Sequence, residues 1–181
     1  MNAKKTALPT LIALLILGAT STARAETITG TIGVTLAITS ACIVDNGAGT
    51  GTSWGTLDFG SYTNLATDID AQVTSTVGNG LTITCSIGLP ATVYIRQGAN
   101  DSGSLRTLSP SAGTYSIPYR LYSDAGRTAE IPPDGASGIP LTSDGTPQSI
   151  PIHARILSSD QTIIAPTAGA YTDTVSATIE W

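Results

Sequence analysis

Few side chains in this 181-residue sequence have types and spacing that suggest chemistry. Its two cysteines are Cys42 and Cys85, and its single histidine is His153. Two cysteines and one distant histidine make a poor ligand set for a metal such as zinc. Serines and aspartates are so abundant that a Ser–His–Asp combination is uninformative without geometry. We therefore expect no catalytic residue, no metal ligand and no cofactor, and we predict that the protein is not an enzyme.

Other candidate site residues have competing interpretations. His153 is out of phase with the apolar residues Ile152 and Ala154, so we expect it to face solvent. Asp68 and Asp70 are two residues apart, and they either hold a cation or form a solvated edge. Four aromatic residues are candidates for a sugar-binding face, although core packing is favoured for them because two share one strand face. They are Trp54, Tyr115, Tyr119 and Tyr122.

The first 25 residues have the features of a secretory signal peptide. Lys4 and Lys5 form a positive start, residues 8–19 are mostly apolar, and an A-x-A cleavage site ends at Ala25. The apolar run is shorter than the roughly 20 residues that span a bilayer, so we expect export and not membrane insertion. The sequence thus predicts a mature chain that begins at Glu26.

The charge of the mature chain excludes two classes of partner. Removing the signal peptide changes the net charge from −5 to −8, because three of the eight basic residues and none of the thirteen acidic residues lie in it. Binding to nucleic acid needs a basic surface, and docking on anionic lipid needs clustered lysine or arginine. We therefore expect neither nucleic acid nor a membrane surface as a partner.

Export favours a disulfide between Cys42 and Cys85, because exported proteins meet oxidising conditions. Cys42 continues the apolar row of Ile38, and Cys85 continues that of Ile83, so we expect both thiols to face the core. A bridge that closes a loop of this size stabilises by about 4 kcal/mol in the chain-entropy model. A metal pair or a catalytic thiol is the alternative, but a core-facing thiol is usually inert.

Almost the whole mature sequence alternates between apolar and polar residues with the period of a β-strand. Residues 27–39 alternate with little interruption, whereas residues 45–53 and 123–147 are rich in turn-forming residues and are predicted to be mostly loop. About seven or eight short strands with frequent turns indicate one all-β sandwich domain, and no amphipathic helix is expected. The shorter strand-like segments are residues 54–60, 81–95, 115–121, 150–156 and 175–181.

Both ends of the mature sequence are predicted strands. We place Trp181 on the core face, and Asp173 marks either an open strand end or the edge of a groove. Either the first and last strands pair in one sheet, or the fold lacks a strand that a neighbouring copy supplies by β-strand addition. The pattern favours the second hypothesis. The apolar row of the first strand is Ile28, Gly30, Ile32, Val34, Leu36 and Ile38, and that of the last is Tyr171, Val175, Ala177, Ile179 and Trp181.

The mature chain resembles the spore coat protein U family, whose best-known members are subunits of archaic, Csu-type chaperone–usher pili. The resemblance extends over essentially all of the mature chain, and it depends on several short motifs in a fixed order. They are SAC at 40–42, GTLDFGSY at 55–62, LTITC at 81–85, YRLYSD at 119–124, GAYTDTV at 169–175 and the final Trp181.

This resemblance implies an incomplete immunoglobulin-like β-sandwich that is completed by a donated strand. It further implies a periplasmic chaperone, an outer-membrane usher and head-to-tail pairing with copies of itself or with sibling pilins. We therefore predict a signal peptide at 1–25, a donor strand at 26–37 and one pilin domain at 38–181, and Ile38 belongs either to the donor strand or to the body. The predicted function is a structural subunit of a cell-surface pilus for adhesion and biofilm formation. The alternative is a self-sufficient secreted sandwich that acts as a coat protein or a carbohydrate-binding module.

Overall fold

The computed structural model of the protein describes residues 24, 26–45, 53–75, 78–101 and 103–181. Nearly all of the predicted signal peptide and most of the predicted loop at 45–53 therefore lie outside the described residues. The chain divides into two units with a boundary between Ala37 and Ile38, and each is described by itself. The described residues contain no helix that is long and apolar enough to cross a membrane.

The described part of the second unit is all-β, with one short 3-10 turn at Ser158–Asp160. Its strands are short, as the frequent turn residues predicted. In chain order they are β1 (Cys42–Asp45), β2 (Thr56–Leu57), β3 (Ile69–Ser75), β4 (Gly78–Asn79), β5 (Leu81–Cys85), β6 (Ala91–Gly98), β7 (Arg106–Pro110), β8 (Ile117–Tyr122), β9 (Glu130–Ile131), β10 (Gly138–Leu141), β11 (Gln148–Ile150), β12 (His153–Ile156), β13 (Tyr171–Thr172) and β14 (Val175–Glu180).

The strands form one large sheet and two small ones. The large sheet has the order β13-β7-β8-β12-β3-β2, with β4 added to β3 and β9 added to β8. The small sheets have the orders β1-β5-β11 and β10-β6-β14. Every pairing within them is antiparallel. This arrangement is consistent with the predicted immunoglobulin-like sandwich.

One hydrophobic core lies between the large sheet and the small sheets. Strand β5, and β6 from Ala91 to Ile95, bury every second residue, which is the alternation expected of strands that have one face on a core. The large sheet contributes buried residues from β3, β8 and β12, and the loops add Leu65 and Ile152. The even spacing of apolar residues in the sequence therefore corresponds to the inner faces of the sheets.

Several expectations about individual strands are corrected by the structure. Residues 150–156 form two strands in different sheets, because Pro151 lies between them and has no N–H for a ladder. The segment at 123–147 is mostly loop, as predicted, but it also contains the short strands β9 and β10, and Ile131 of β9 is buried in the core. Residues 26–41 form no strand, although their alternation predicted one. A strand needs a neighbour to accept its hydrogen bonds, and the periodicity of a sequence does not supply that neighbour.

The sequence predicts that His153 faces solvent, but the structure corrects this, because the residue is only 9% exposed. It begins β12, which lies inside the large sheet with β3 on one side and β8 on the other. Its direct partner on β8 is Tyr122, which is also buried. His153 is therefore a buried residue of a central strand, which the alternation of apolar residues did not indicate.

Candidate functional site: a groove between two edge strands

An apolar cavity of about 710 Å³ is bordered by two strands that have only one neighbour each among the described strands. On the small sheet this edge strand is β14, which pairs with β6 alone. On the large sheet it is β2, which pairs with β3 alone. Residues 53–57 around β2 and residues 173–177 at the start of β14 line the same cavity. We call this cavity the groove.

The floor of the groove is part of the hydrophobic core. Ile95, Leu121 and Ile152 are buried residues of the core cluster, and they also line the groove. From the edges, Leu57 and Val175 are half-buried and pack against the same cluster. Apolar core side chains therefore line an opening along an unpaired strand edge, which is the geometry that β-strand addition requires.

One end of the groove is polar, because Asp173 and Tyr119 line it together. The Tyr119 hydroxyl donates a hydrogen bond of 2.7 Å to Oδ2 of Asp173. Oδ1 of Asp173 accepts hydrogen bonds from the Asn100 backbone N–H at 3.1 Å and from the Asn100 side-chain amide at 3.2 Å. Burial, and secondly the bond to the Asp173 carboxylate, raise the pKa of the Tyr119 phenol, so the phenol stays a proton donor.

Arg106 supports this end of the groove from inside the fold. It is 1% exposed and lies opposite Tyr119 in the β7–β8 ladder. Its guanidinium donates five hydrogen bonds to four backbone carbonyls, which belong to Ile95, Arg96, Ile131 and Pro132. Burial lowers the pKa of Arg106, against the opposing influence of Tyr119 and of several acidic residues. Arg106 thus links β7 of the large sheet to β6 of a small sheet.

The residues predicted for the last strand are only partly brought together. Val175 and Ala177 line the groove, and Ile179 is half-buried on the same strand. Tyr171 belongs instead to β13, which pairs with β7 in the large sheet. Trp181 follows the end of β14 and is 58% exposed, so our expectation that it lies on the core face is wrong. The chain crosses from the large sheet to a small sheet at residues 173–174. The sequence predicts residues 171–181 as one strand, so it does not indicate this crossing.

The predicted donor row is exposed. Ile28, Ile32, Val34, Leu36 and Ile38 are between 85% and 98% exposed, and Gly30 between them is exposed as well. Isolated exposed apolar residues are common, but five in one alternating row are an unusual feature of a protein surface. The assignment of this row as a donor strand stays a prediction.

The predicted disulfide is present between Cys42 and Cys85. The two residues are direct partners in the β1–β5 ladder, and Cys85 belongs to the buried core. Both thiols face the core, as the alternation predicted. The disulfide therefore attaches β1 to β5.

The other candidate site residues have structural contacts. Asp70 accepts hydrogen bonds from Arg155 at 2.6 and 2.8 Å, and Asp68 accepts two from Ser158. Among the described residues, no group of three or more His, Cys, Asp or Glu side chains could hold a metal ion. The four aromatic residues do not form one exposed face: Tyr119 and Tyr122 are buried, and Trp54 and Tyr115 pack against the core.

Sequence reasoning missed the residues that shape the groove. Arg106, Asn100 and the edge at 53–57 were not recognised as parts of one site, because their contacts join segments far apart in the chain. The available signal was Asp173, a carboxylate in an otherwise apolar row, and the structure places it in the groove wall.

The model of the Spore Coat Protein U domain matches residues 28–178. This chain belongs to the Spore Coat Protein U domain family. Protein U of Myxococcus xanthus is 31% identical over 185 residues, and the similarity covers 99% of both proteins. The matched segment includes the disulfide, the groove and the exposed apolar row from Ile28 to Ile38.

Two solved structures have lower similarity. One is a chain from the complex of the CsuC chaperone with the CsuE tip adhesion subunit of archaic Csu pili of Acinetobacter baumannii. It is 16% identical with a TM-score of 0.42, and the match covers 80% of this chain but only 40% of that chain. The other is a chain from the structure of a chaperone–usher pilus that reveals the molecular basis of rod uncoiling. It is 18% identical with a TM-score of 0.41, and the match covers 87% of this chain and 99% of that chain.

Proposed function

We propose that this member of the Spore Coat Protein U domain family is a structural pilus subunit that polymerises by donor-strand exchange. The observation that carries the proposal is the apolar groove beside the unpaired edge of β14. The chain also contains an exposed segment with the alternation that such a groove would accept. In the proposed fibre, the row from Ile28 to Ile38 of one copy fills the groove of the next copy.

Burial of the donor row supplies the energy for this exchange. Each aliphatic side chain contributes about 1.5–3 kcal/mol when it moves from water to an apolar site, so five contribute on the order of 10 kcal/mol before ordering costs. The added strand also pairs with the free edge of β14, which would otherwise promote aggregation. Donor and acceptor surfaces differ, so repetition gives an open, head-to-tail fibre.

The family resemblance supplies the cellular setting of the proposal. A periplasmic chaperone would cover the groove first, and an outer-membrane usher would exchange it for the donor strand of another copy or a sibling pilin. The product would be a pilus on the cell surface that serves adhesion and biofilm formation. The predicted signal peptide agrees with this route.

The test uses the mature chain, residues 26–181. We expect the natural sequence to form concentration-dependent oligomers in size-exclusion chromatography with light scattering. A variant with Val34→Asp and Leu36→Asp should remain monomeric, because charged side chains cannot fill apolar pockets. The matched control carries Thr31→Asp and Thr35→Asp on the opposite face of the segment, and it should still assemble.

The monomeric variant then serves as an acceptor with an empty groove. A synthetic peptide of residues 26–36 should raise its melting temperature, whereas a peptide with the two aspartates should not. The proposal would be overturned if the natural chain is a stable monomer and the peptide does not change the melting temperature of the acceptor. That result would favour the self-sufficient coat protein or carbohydrate-binding module.

A further inference from the structure

Asp173 lies where the chain passes from the large sheet to a small sheet. Tyr171 and Thr172 precede it in β13, which pairs with β7, and Val175 follows it in β14, which pairs with β6. Its carboxylate receives the Tyr119 and Asn100 hydrogen bonds described above, and also one of 2.8 Å from the Thr174 backbone N–H. The crossover is therefore fixed by β8 and by the β6–β7 loop at once.

Gly98, the last residue of β6, leaves room for this carboxylate because it has no side chain. Gly98 is the ladder partner of Val175, and a Cβ atom built on Gly98 would overlap the carboxylate group of Asp173. Gly98 is therefore needed for space and not for an unusual backbone conformation. The fit places the carboxylate directly against the strand that pairs with β14.

The start of β14 needs such an anchor. The strand has β6 as its single neighbour among the described strands, and its register shifts between Val175 and Ala177. A strand with one ladder and an irregular start has few interactions that hold its free edge in place. Asp173 supplies fixed contacts immediately before the irregular residues, and these contacts come from outside the small sheet.

We infer that Asp173, held by Tyr119 and Asn100, is a positioning residue that fixes where the strand-accepting edge of the groove begins. An added strand can pair with β14 from Val175 to Glu180, but not beyond Asp173, because the chain there has crossed to the other sheet. Ladder pairing with β14 is thus limited to about six donor residues, or roughly 20 Å of extended strand, so the row from Ile28 to Ile38 extends past this edge. The inference rests on the proposed function, since it concerns how the same groove binds a donor.

The experiment uses the full mature acceptor, with Val34→Asp and Leu36→Asp, and the natural peptide of residues 26–36. Tyr119→Phe removes the phenol donor and keeps the ring, Asp173→Ala removes the carboxylate, and Gly98→Ala displaces it. We expect each to weaken peptide affinity tenfold or more. Asp173→Asn keeps an oxygen that accepts the Tyr119 bond, so its loss should be smaller.

The matched control is Tyr115→Phe, which removes a hydroxyl that donates to Gln161 at 3.1 Å outside the groove. It should change peptide affinity by less than twofold, even if it lowers the melting temperature of the acceptor. If Tyr119→Phe and Tyr115→Phe both lower the melting temperature but leave peptide affinity unchanged, Asp173 has only a general structural role and the inference is wrong.

A second measurement does not depend on donor binding. Amide hydrogen exchange in the acceptor without peptide should be faster at 177–180 in Tyr119→Phe and in Asp173→Ala than in Tyr115→Phe, by tenfold or more. Unchanged exchange there would overturn the inference. The exchange rates at 177–180 could increase in these variants while the acceptor without them does not bind the peptide. In that case the proposed function fails, and the positioning of β14 by Asp173 stands.

Discussion

Cys42 lies directly opposite Cys85 in the β1–β5 ladder, and their sulfur atoms are bonded. Among the described strands β1 pairs only with β5, and this bond cross-links the two paired strands covalently. The bridge spans a sequence separation of 43 residues. In the chain-entropy model, a loop of that length destabilises the unfolded chain by about 4 kcal/mol.

We therefore expect the double variant Cys42→Ala, Cys85→Ala to lose about 4 kcal/mol of unfolding free energy in a denaturant titration. Reduction of the natural chain should give a similar loss, which separates the effect of the bond from that of the substituted side chains. Equal unfolding midpoints for the oxidised and reduced natural chain would contradict the prediction.

A second prediction concerns Arg106, whose buried guanidinium satisfies four backbone carbonyls. Arg106→Ala leaves these acceptors without their donor and leaves a cavity, so we expect a loss of more than about 3 kcal/mol in unfolding free energy. Arg106→Lys should recover little, because an ammonium lacks the planar fork of donors. The measurement is denaturant unfolding of each variant in the monomeric background.

The control for Arg106 is Arg96→Ala. Arg96 pairs with Glu180 at 3.1 Å, and its side chain is 42% exposed. An exposed ion pair contributes about 1 kcal/mol or less, so this variant should unfold close to its parent. Similar losses from the two arginines would show that burial does not distinguish them.

How well the sequence predicts a strand depends on which residue types lie on its buried face. Strands β5, β6, β8 and β14 were predicted because their apolar residues alternate, and those residues pack in or against the core. Strand β3 was missed although Ile69, Ala71 and Val73 alternate with polar residues, because Asp70 and the small Ala71 have low β-propensity. Pairing on both sides makes β3 a strand in spite of these residues.

The groove was harder to predict than the strands, because its polar residues are explained only by distant partners. A charged residue in a strand normally indicates a solvent face. Arg106 is nevertheless buried, and its guanidinium donates to backbone carbonyls of β6 and of the end of β9. Asp173 is placed by Tyr119 and Asn100, which are 54 and 73 residues away in sequence. Such contacts are set by topology, which a single sequence does not specify.

A third prediction is a pH dependence of stability through Asp70. Hydrogen bonds from Arg155, assisted by the charge of Arg127, lower the pKa of the Asp70 carboxyl below its ordinary value. A lowered pKa in the folded state means that the ionised carboxylate stabilises the fold above the unfolded value of about 3.9. This contribution is complete above about pH 5 and disappears as the pH falls through the folded pKa.

Asp70→Asn should therefore destabilise the protein at pH 7 by about 1 kcal/mol, a modest value because the Asp70 side chain is 41% exposed. The difference from the natural residue should shrink as the pH falls below 4, as measured by thermal unfolding of monomeric variants from pH 7 to pH 2.5. Glu180→Gln, which removes a more exposed ion pair, should change stability little at any pH. A constant difference for Asp70→Asn across this range would contradict the linkage.

The last prediction separates stability from assembly at the groove. Ala177 lines the cavity from β14 and is half-buried. Ala177→Leu adds apolar volume to an empty space, so the monomeric background should gain up to about 1–2 kcal/mol of unfolding free energy. The same side chain occupies room that a donated strand needs, so the natural donor background should no longer form oligomers in light scattering. Ala136→Leu, at an exposed position outside the cavity, should leave assembly intact. Assembly that survives Ala177→Leu would show that donor side chains do not enter this part of the groove.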